Sequence, residues 1–344
     1  MSESQVVKEL LDNKGNIVRL YSYKGKHPNF GDDINQIVWE NLLGEVFDNR
    51  SKNIFLGIGS ILYNSFPQEV QKIVMGAGYA GYTDKPKIDN SWDIHFVRGK
   101  ETAKQLNLPE SLAVGDSAIL LRSLIDFENR KTKYKVSYMP HFESAWIGAW
   151  DKICEACDIH YLDPRRPVNE LLEEMLSSEL IISEAMHGVI VADALRIPWV
   201  ARTPQDPNHR DKWFDWASVL DVDLQSFEIG PSNVMEKVSS LSWGHRRIIY
   251  KMRKHHELLR SIGLGRPLKK TIEEMNELKL QKGTLSSDKS IEEAHSRMLD
   301  ILESFKEKHG IAHKTPEAKC VESLFSSRKP NIQPNINFNE AVSV

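Results

Sequence analysis

The chain is predicted to be an α/β protein with two Rossmann-like domains in tandem, and two observations carry that prediction. Short apolar runs alternate along residues 17–201 with stretches whose apolar residues recur at helical spacing. Alternation of this kind argues for parallel strands joined by helical crossovers. The polar segment Glu128-Asn129-Arg130-Lys131-Thr132-Lys133 divides the alternation into two series, as a linker would. Two such domains facing each other across a cleft make a GT-B-like arrangement, here with a helical C-terminal extension. The expected divisions are 1–127, 134–232, 233–312 for the extension, and a disordered tail at 313–344.

In the first series Ile17 to Ser22 reads as a strand and Asp33 to Leu43 as an amphipathic helix. Ile54 to Leu56, Lys72 to Met75 and Ile94 to Val97 read as strands, Lys100 to Leu106 as a helix, Leu112 to Val114 as a short strand and Ser117 to Ile125 as a helix. In the second, Tyr134 to Met139, Ile159 to Leu162, Leu180 to Ser183 and Trp199 to Ala201 are strands. Ala149 to Ala156, Val168 to Leu176 and the segment after His187 are helices, the last ended by Pro198. Val234 to Ile262 reads as one long helix or two broken near Trp243-Gly244, and Ser287 to His309 as a surface helix. Beyond Lys314 the Pro, Asn and Ser content predicts disorder.

Composition narrows the function. With 344 residues, 40% apolar and 27% charged, the chain has length for a large core. A net charge of −3 carries no global signal for nucleic acid. No apolar run approaches the roughly 20 residues that span a bilayer, and Met1 to Asn16 lacks the pattern of a signal or transit peptide. The expected location is therefore cytoplasmic. Cys154 and Cys157 form a lone CxxC on an apolar helix face with no second pair, so core thiols are expected and no metal site.

Chemistry concentrates at the strand-to-helix junctions, where open α/β sheets bind ligands. His187 sits where the strand ending at Ser183 gives way to a helix, and the free N–H groups of a helix start favour an anion. A titratable imidazole beside an anion suits acid/base work. Asn29-Phe30-Gly31-Asp32-Asp33-Ile34-Asn35 lies at another junction; one aspartate caps the helix, and the second with Asn35 suits the hydroxyls of a sugar. Gly57-Ile58-Gly59-Ser60 allows close approach of backbone to ligand. Arg98 ends a strand, where it can clamp a carboxylate or phosphate or pair with Glu101. Gly115-Asp116-Ser117 repeats the pattern, with Asp116 as a cap. Gly76-Ala77-Gly78-Tyr79-Ala80-Gly81 matches GxGxxG, but Pro86 prevents the helix a dinucleotide site needs. Asp221-Val222-Asp223 resembles a metal-binding DxD and reads as a turn.

Five of these motifs in order, Asn29 to Asn35, Gly57 to Ser60, Val97-Arg98-Gly99, Val114-Gly115-Asp116 and Glu184-Ala185-Met186-His187-Gly188, resemble the polysaccharide pyruvyl transferase family, in particular its succinoglycan-type, ketal-forming branch. The resemblance covers roughly Ile17 to Ala201. It implies an enzyme that moves a carboxyethylidene group from phosphoenolpyruvate to two hydroxyls of a sugar in an exopolysaccharide or lipid-linked oligosaccharide, without a cofactor or a metal. On that reading His187 is the acid/base and Glu184 its orienter. Arg98, Gly188 and Arg202 bind the donor, and Asp32, Asp33, Asn35, Gly59 and Ser60 face the acceptor. Relatives often carry Arg-Leu-His where this chain has Ala185-Met186-His187, so the missing cation falls to Arg98 or Arg202. A nucleotide-sugar glycosyltransferase of the same fold and a non-catalytic glycan-binding protein are the alternatives.

Within Gly244 to Lys270 nine Lys and Arg stand against one Glu, interleaved with apolar residues. This reads as a basic amphipathic helix whose cations meet the inner membrane leaflet or an acceptor diphosphate.

Overall fold

The computed structural model describes residues 18–23, 28–240, 265–312 and 316–325. Among them, nine strands form two all-parallel sheets. Strands β1 (Arg19–Tyr21), β2 (Ile54–Leu56), β3 (Lys72–Met75) and β4 (Trp92–Phe96) line up in sequential order. Every neighbouring pair is parallel. β2 and β3 are buried along their whole length, which is why Ile54-Phe55-Leu56 and Ile73-Val74-Met75 read as apolar runs; the buried Lys72 that opens β3 donates to the Pro67 carbonyl and Ser91 Oγ.

The second sheet contains β5 (Tyr134–Met139), β6 (His160–Tyr161), β7 (Ser178–Ser183), β8 (Trp199–Arg202) and β9 (Ser226–Phe227), in the order β6-β5-β7-β8-β9. The chain leaves β5 for β6 on one side and returns to β7 on the other. The strand order therefore reverses between β5 and β7, and in sheets of this kind the carboxyl ends at such a reversal are where ligands bind.

Helices α1 (Phe30–Leu43), α2 (Lys100–Gln105), α3 (Phe142–Ile147), α4 (Trp150–Cys157), α5 (Val168–Leu176) and α6 (Met186–Ala194) connect the strands. They are followed by α7 (Asp211–Leu220), α8 (Val234–Ser239), α9 (Lys269–Leu278), α10 (Asp288–His309) and α11 (Val321–Phe325). α6 has no polar stripe because it is covered on every side; Val189, Ile190, Val191, Ala192 and Ala194 are all buried. Its one buried charge, Asp193, accepts from Trp199 Nε1 (2.9 Å), Ser286 N (2.8 Å) and Ser286 Oγ (2.6 Å). One apolar core runs through α1, the 117–123 turn, α6 and α10 and so joins the two halves of the chain.

Several expectations need correction. Ser117–Ser123 is a 3-10 helix, and in place of a strand at 112–114 a 3-10 turn, Glu110–Leu112, leads into a single bridge from Ala113 to Val97. α3, α7 and α9 were not anticipated. Trp213, Trp216 and Leu220 nonetheless carry helical spacing and are buried along α7. The tail expected to be disordered from Lys314 contains α11, whose Val321 and Leu324 are buried; five residues are too few to show a period. Residues 241–264, with most of the basic segment, and 326–344 lie outside the described residues. Cys154 and Cys157 are buried, and burial pushes both thiols up, as core thiols require. Asp221 takes the left-handed conformation that closes α7, in agreement with a turn.

Candidate active site

The end of β7 is wound tightly into α6. Ser183 Oγ donates to the carbonyl of Ala185 (2.8 Å) and accepts from its N–H (3.1 Å). A side-chain carbon on Gly188 would fall 2.3 Å from that oxygen, so glycine is needed for the helix to start here. The Gly188 N–H itself donates to the Ala185 carbonyl at 2.9 Å and is not free for an anion. The N–H groups of Met186 and His187 have no acceptor among the described residues and remain available to an anion.

His187 reaches into the first half of the chain. Its ring lies over the first turn of α1, where a carbon built on Gly31 would be 2.1 Å from Nδ1. Its Nε2 faces Asp116 Oδ2 at 3.5 Å. Asp116 is fully buried and its Oδ1 caps the 3-10 helix by accepting from Ala118 N (3.0 Å). Asp116 Oδ2 and His187 Nε2 are both buried without a hydrogen-bond partner. Unsatisfied buried polar atoms are uncommon in a packed core, so this facing pair is the first candidate for function.

Asp32, in the same turn of α1, accepts from Asn29 Nδ2 at 2.7 Å. Burial pushes its carboxyl up to about 6, against the pull of Asn29 and His187. Burial also raises Asp33. A carbon on Gly59 would lie 3.7 Å from Asp32 Oδ1, which puts the β2 loop beside the same carboxylate. Asn35 is different. It is buried, donates to the Tyr21 carbonyl (2.8 Å) and Ser22 Oγ (2.9 Å), and accepts from Ile58 N (2.8 Å). It ties the ends of β1 and β2 together and has no group left for a sugar.

The cations are distributed otherwise than expected. Arg98 is fully buried, with Nε on Asp215 Oδ2 (2.9 Å) and Nη1 on Ser60 Oγ (2.7 Å). Asp215 of α7 also accepts from Thr102 N (2.8 Å) and Oγ1 (2.6 Å), so Arg98, Ser60 and Thr102 bolt the first half of the chain to the second. Its partner is Asp215, not Glu101. Arg202 is likewise enclosed, 2.5 Å from Glu184 Oε2 and stacked 4.4 Å from the Trp150 ring. Glu184 also accepts from His141 N (3.1 Å), Ser144 Oγ (3.0 Å) and Gln205 N (3.2 Å). It fixes the loops after β5, β7 and β8, and the acid that faces His187 is Asp116.

Lys212, in the first turn of α7, was missed by sequence reasoning. Burial pushes its ammonium down to about 8, helped by Arg98 and opposed by Asp32, Glu143 and Asp206. It forms no ion pair within 4 Å among the described residues, and the carboxylates of Asp32, Glu143 and Asp206 all act on it electrostatically. No spacing pattern announces a lone lysine; Asp116, by contrast, stood at a strand end and was read only as a cap. His141, Glu143 and His209 form the one group of His, Cys, Asp and Glu among the described residues that converges closely enough for a metal ion.

The structure thus brings His187, Asp32, Asp33 and Gly59 to one place, with Asp116, and puts Lys212 within electrostatic reach of Asp32. It places Glu184, Arg98, Arg202, Asn35 and Ser60 in the supports around them. Comparison with known proteins is consistent with these motifs. The succinoglycan biosynthesis protein ExoV of Rhizobium meliloti (strain 1021) is 37% identical over 205 residues, 59% of this chain and 65% of its own length. The uncharacterized protein L143 of Acanthamoeba polyphaga mimivirus is 28% identical over 230 residues, 60% of this chain and 76% of its own. The chain thus spans just under two thirds of ExoV. No solved structure matches. The family model for polysaccharide pyruvyl transferase matches residues 6–206, more than half of the chain and all the strand-end motifs described above, and the protein belongs to that family.

Proposed function

We propose that the protein transfers a carboxyethylidene group from phosphoenolpyruvate to two hydroxyls of one sugar, in an exopolysaccharide or its lipid-linked precursor, and releases phosphate. Family membership and the similarity to a succinoglycan biosynthesis protein support the reaction class. The observation that carries the site is the buried facing pair of His187 and Asp116 at the junction of the two halves.

The chemistry needs few groups. A proton delivered to the methylene carbon of the donor makes C2 electrophilic; a sugar hydroxyl adds there, the C2–O bond to phosphate breaks, and a second hydroxyl closes the ketal. Of the two hydroxyl protons released, one replaces the proton given to carbon and the other leaves on phosphate. His187, held by Asp116, shuttles these protons. Asp32 and Asp33 meet the acceptor hydroxyls. Lys212 and the N–H groups of Met186 and His187 hold the donor's anionic groups. No cofactor is invoked.

The same reading takes the two sheets as Rossmann-like domains in a GT-B-like arrangement, with the helices after residue 233 as an extension. No helix among the described residues is long and apolar enough to cross a membrane. The basic segment 244–270 supplies peripheral contact with an anionic surface near a lipid-linked acceptor. Incubation with phosphoenolpyruvate and a panel of lipid-linked oligosaccharides tests the reaction. Phosphate release with a mass gain of one carboxyethylidene group on the acceptor is expected. Turnover of a sugar nucleotide instead, or acceptor binding without phosphate release, rejects it.

A further inference from the structure

We propose that His141, Glu143 and His209 bind one divalent first-row cation of the zinc type, where the strand order of the second sheet reverses. His141 follows β5 at that reversal, Glu143 opens α3, and His209 lies in the Pro207–His209 turn after β8. All three therefore come from the carboxyl ends of strands, the edge where such sheets bind ligands.

The geometry suits a metal. Glu143 Oε2 is 3.8 Å from His141 Nδ1 and 3.8 Å from His209 Nε2, and one ligand atom from each residue lies within 4.8 Å of the others. Tetrahedral bonds of about 2.0–2.1 Å separate ligand atoms by roughly 3.4 Å, so closing on an ion takes movements of about half an ångström to one ångström. Two imidazoles and a carboxylate are a zinc donor set that leaves one position for water or an anionic ligand. Beside them is a cavity of about 20 Å³, lined in part by His141, Glu143, Ser144, Asp206 and His209, with room for one occupant the size of a water molecule.

The surroundings hold the ligands in place. His209 Nδ1 is 2.8 Å from the Tyr82 hydroxyl, a contact that fixes the ring with its Nε2 toward Glu143. The His141 backbone is held by Glu184, and Asp206 caps the turn that carries His209, with Oδ2 3.9 Å from His209 Nε2. The two imidazole rings lie close, with centroids 4.6 Å apart and planes tilted by 35°.

Zinc binding by tag-free full-length protein tests this without any sugar substrate, and so independently of the transfer reaction. One equivalent of Zn²⁺ is expected to bind, and Co²⁺ in its place should show visible bands without the near-ultraviolet thiolate band that a cysteine site would give. His209→Ala and Glu143→Gln should each weaken zinc by more than tenfold. Tyr82→Phe, which leaves all three ligands intact, should weaken it by roughly tenfold. Wild-type protein that binds no zinc at micromolar concentration, a cobalt–thiolate band, or unchanged affinity in folded His209→Ala and Tyr82→Phe proteins would overturn the proposal.

Discussion

The His187 imidazole rests directly on Gly31, so close that a methyl carbon at residue 31 would sit 2.1 Å from Nδ1. The acid/base candidate of the second half is thereby seated on the helix of the first half that carries Asp32 and Asp33. Gly31→Ala must displace either the ring or the start of α1. It should cut turnover by about 100-fold, since an ångström of misplacement costs that much, while leaving the melting temperature nearly unchanged. Wild-type turnover in Gly31→Ala would show that the ring need not sit there.

His187→Ala should lower turnover by roughly 100-fold or more, the usual effect of losing a general acid or base. Asp116→Asn keeps the oxygen that caps Ala118 and removes only the charge facing Nε2. It should reproduce much of the His187→Ala loss without loss of fold, as read by circular dichroism. A fully active Asp116→Asn protein would reduce Asp116 to a cap.

Two groups at the site titrate near neutrality. Asp32 is pushed up to about 6 and Lys212 down to about 8, both mainly by burial. With ionised Asp32 and charged Lys212 required, kcat/KM should rise through pH 6 and fall through pH 8. Asp32→Asn should abolish the acid limb and Lys212→Met the alkaline limb. Stability carries an opposite sign for Asp32. Its folded-state pKa lies above its unfolded value, so its contribution is greatest below about pH 4 and is lost as pH rises through 6. Asp32→Asn should therefore raise the melting temperature at pH 8 and have little effect at pH 4.

Much of this was legible in the sequence, for identifiable reasons. Buried parallel strands announce themselves as apolar runs, as in Ile54-Phe55-Leu56 of β2 and Ile73-Val74-Met75 of β3, and the strand-end motifs fall where ligands bind in any such sheet. His187 was found because Ser183, Gly188 and Pro198 bracket a strand-to-helix switch. The partners of charged groups were not legible, because partnership depends on which loops meet in space. Glu184 is three residues from His187 yet pairs with Arg202, whereas Asp116, seventy-one positions away, faces the imidazole. Arg98 pairs with Asp215 of a helix that was not anticipated, instead of with its sequence neighbour Glu101.

The buried pair Glu184–Arg202 is expected to govern stability rather than chemistry. Removing one partner leaves a charge enclosed, which costs about 3–5 kcal/mol. Arg202→Ala should therefore lower the denaturant midpoint sharply, and Glu184→Gln by less because its amide still accepts hydrogen bonds. Denaturant unfolding of the two variants decides. An Arg202→Ala protein as stable as wild type would place the guanidinium in the site after all.

Arg98 and Lys212 are expected to play different parts. Arg98 is enclosed between Ser60 and Asp215, so Arg98→Ala should destabilise the protein by about 3–5 kcal/mol and loosen the junction between α2 and α7. Lysine at 98 should not restore it, because a point charge cannot span Ser60 and Asp215 as the guanidinium fork does. Lys212 has no such partner among the described residues and feels the Asp32 carboxylate electrostatically. Lys212→Met should raise the donor KM by about tenfold or more, as loss of a charge-assisted contact worth about 1.5–3 kcal/mol does, with the melting temperature unchanged or raised. Donor titrations of both variants, read beside their unfolding curves, separate the two roles. A donor KM that rises in a stable Arg98→Ala protein but not in Lys212→Met would return the donor contact to Arg98.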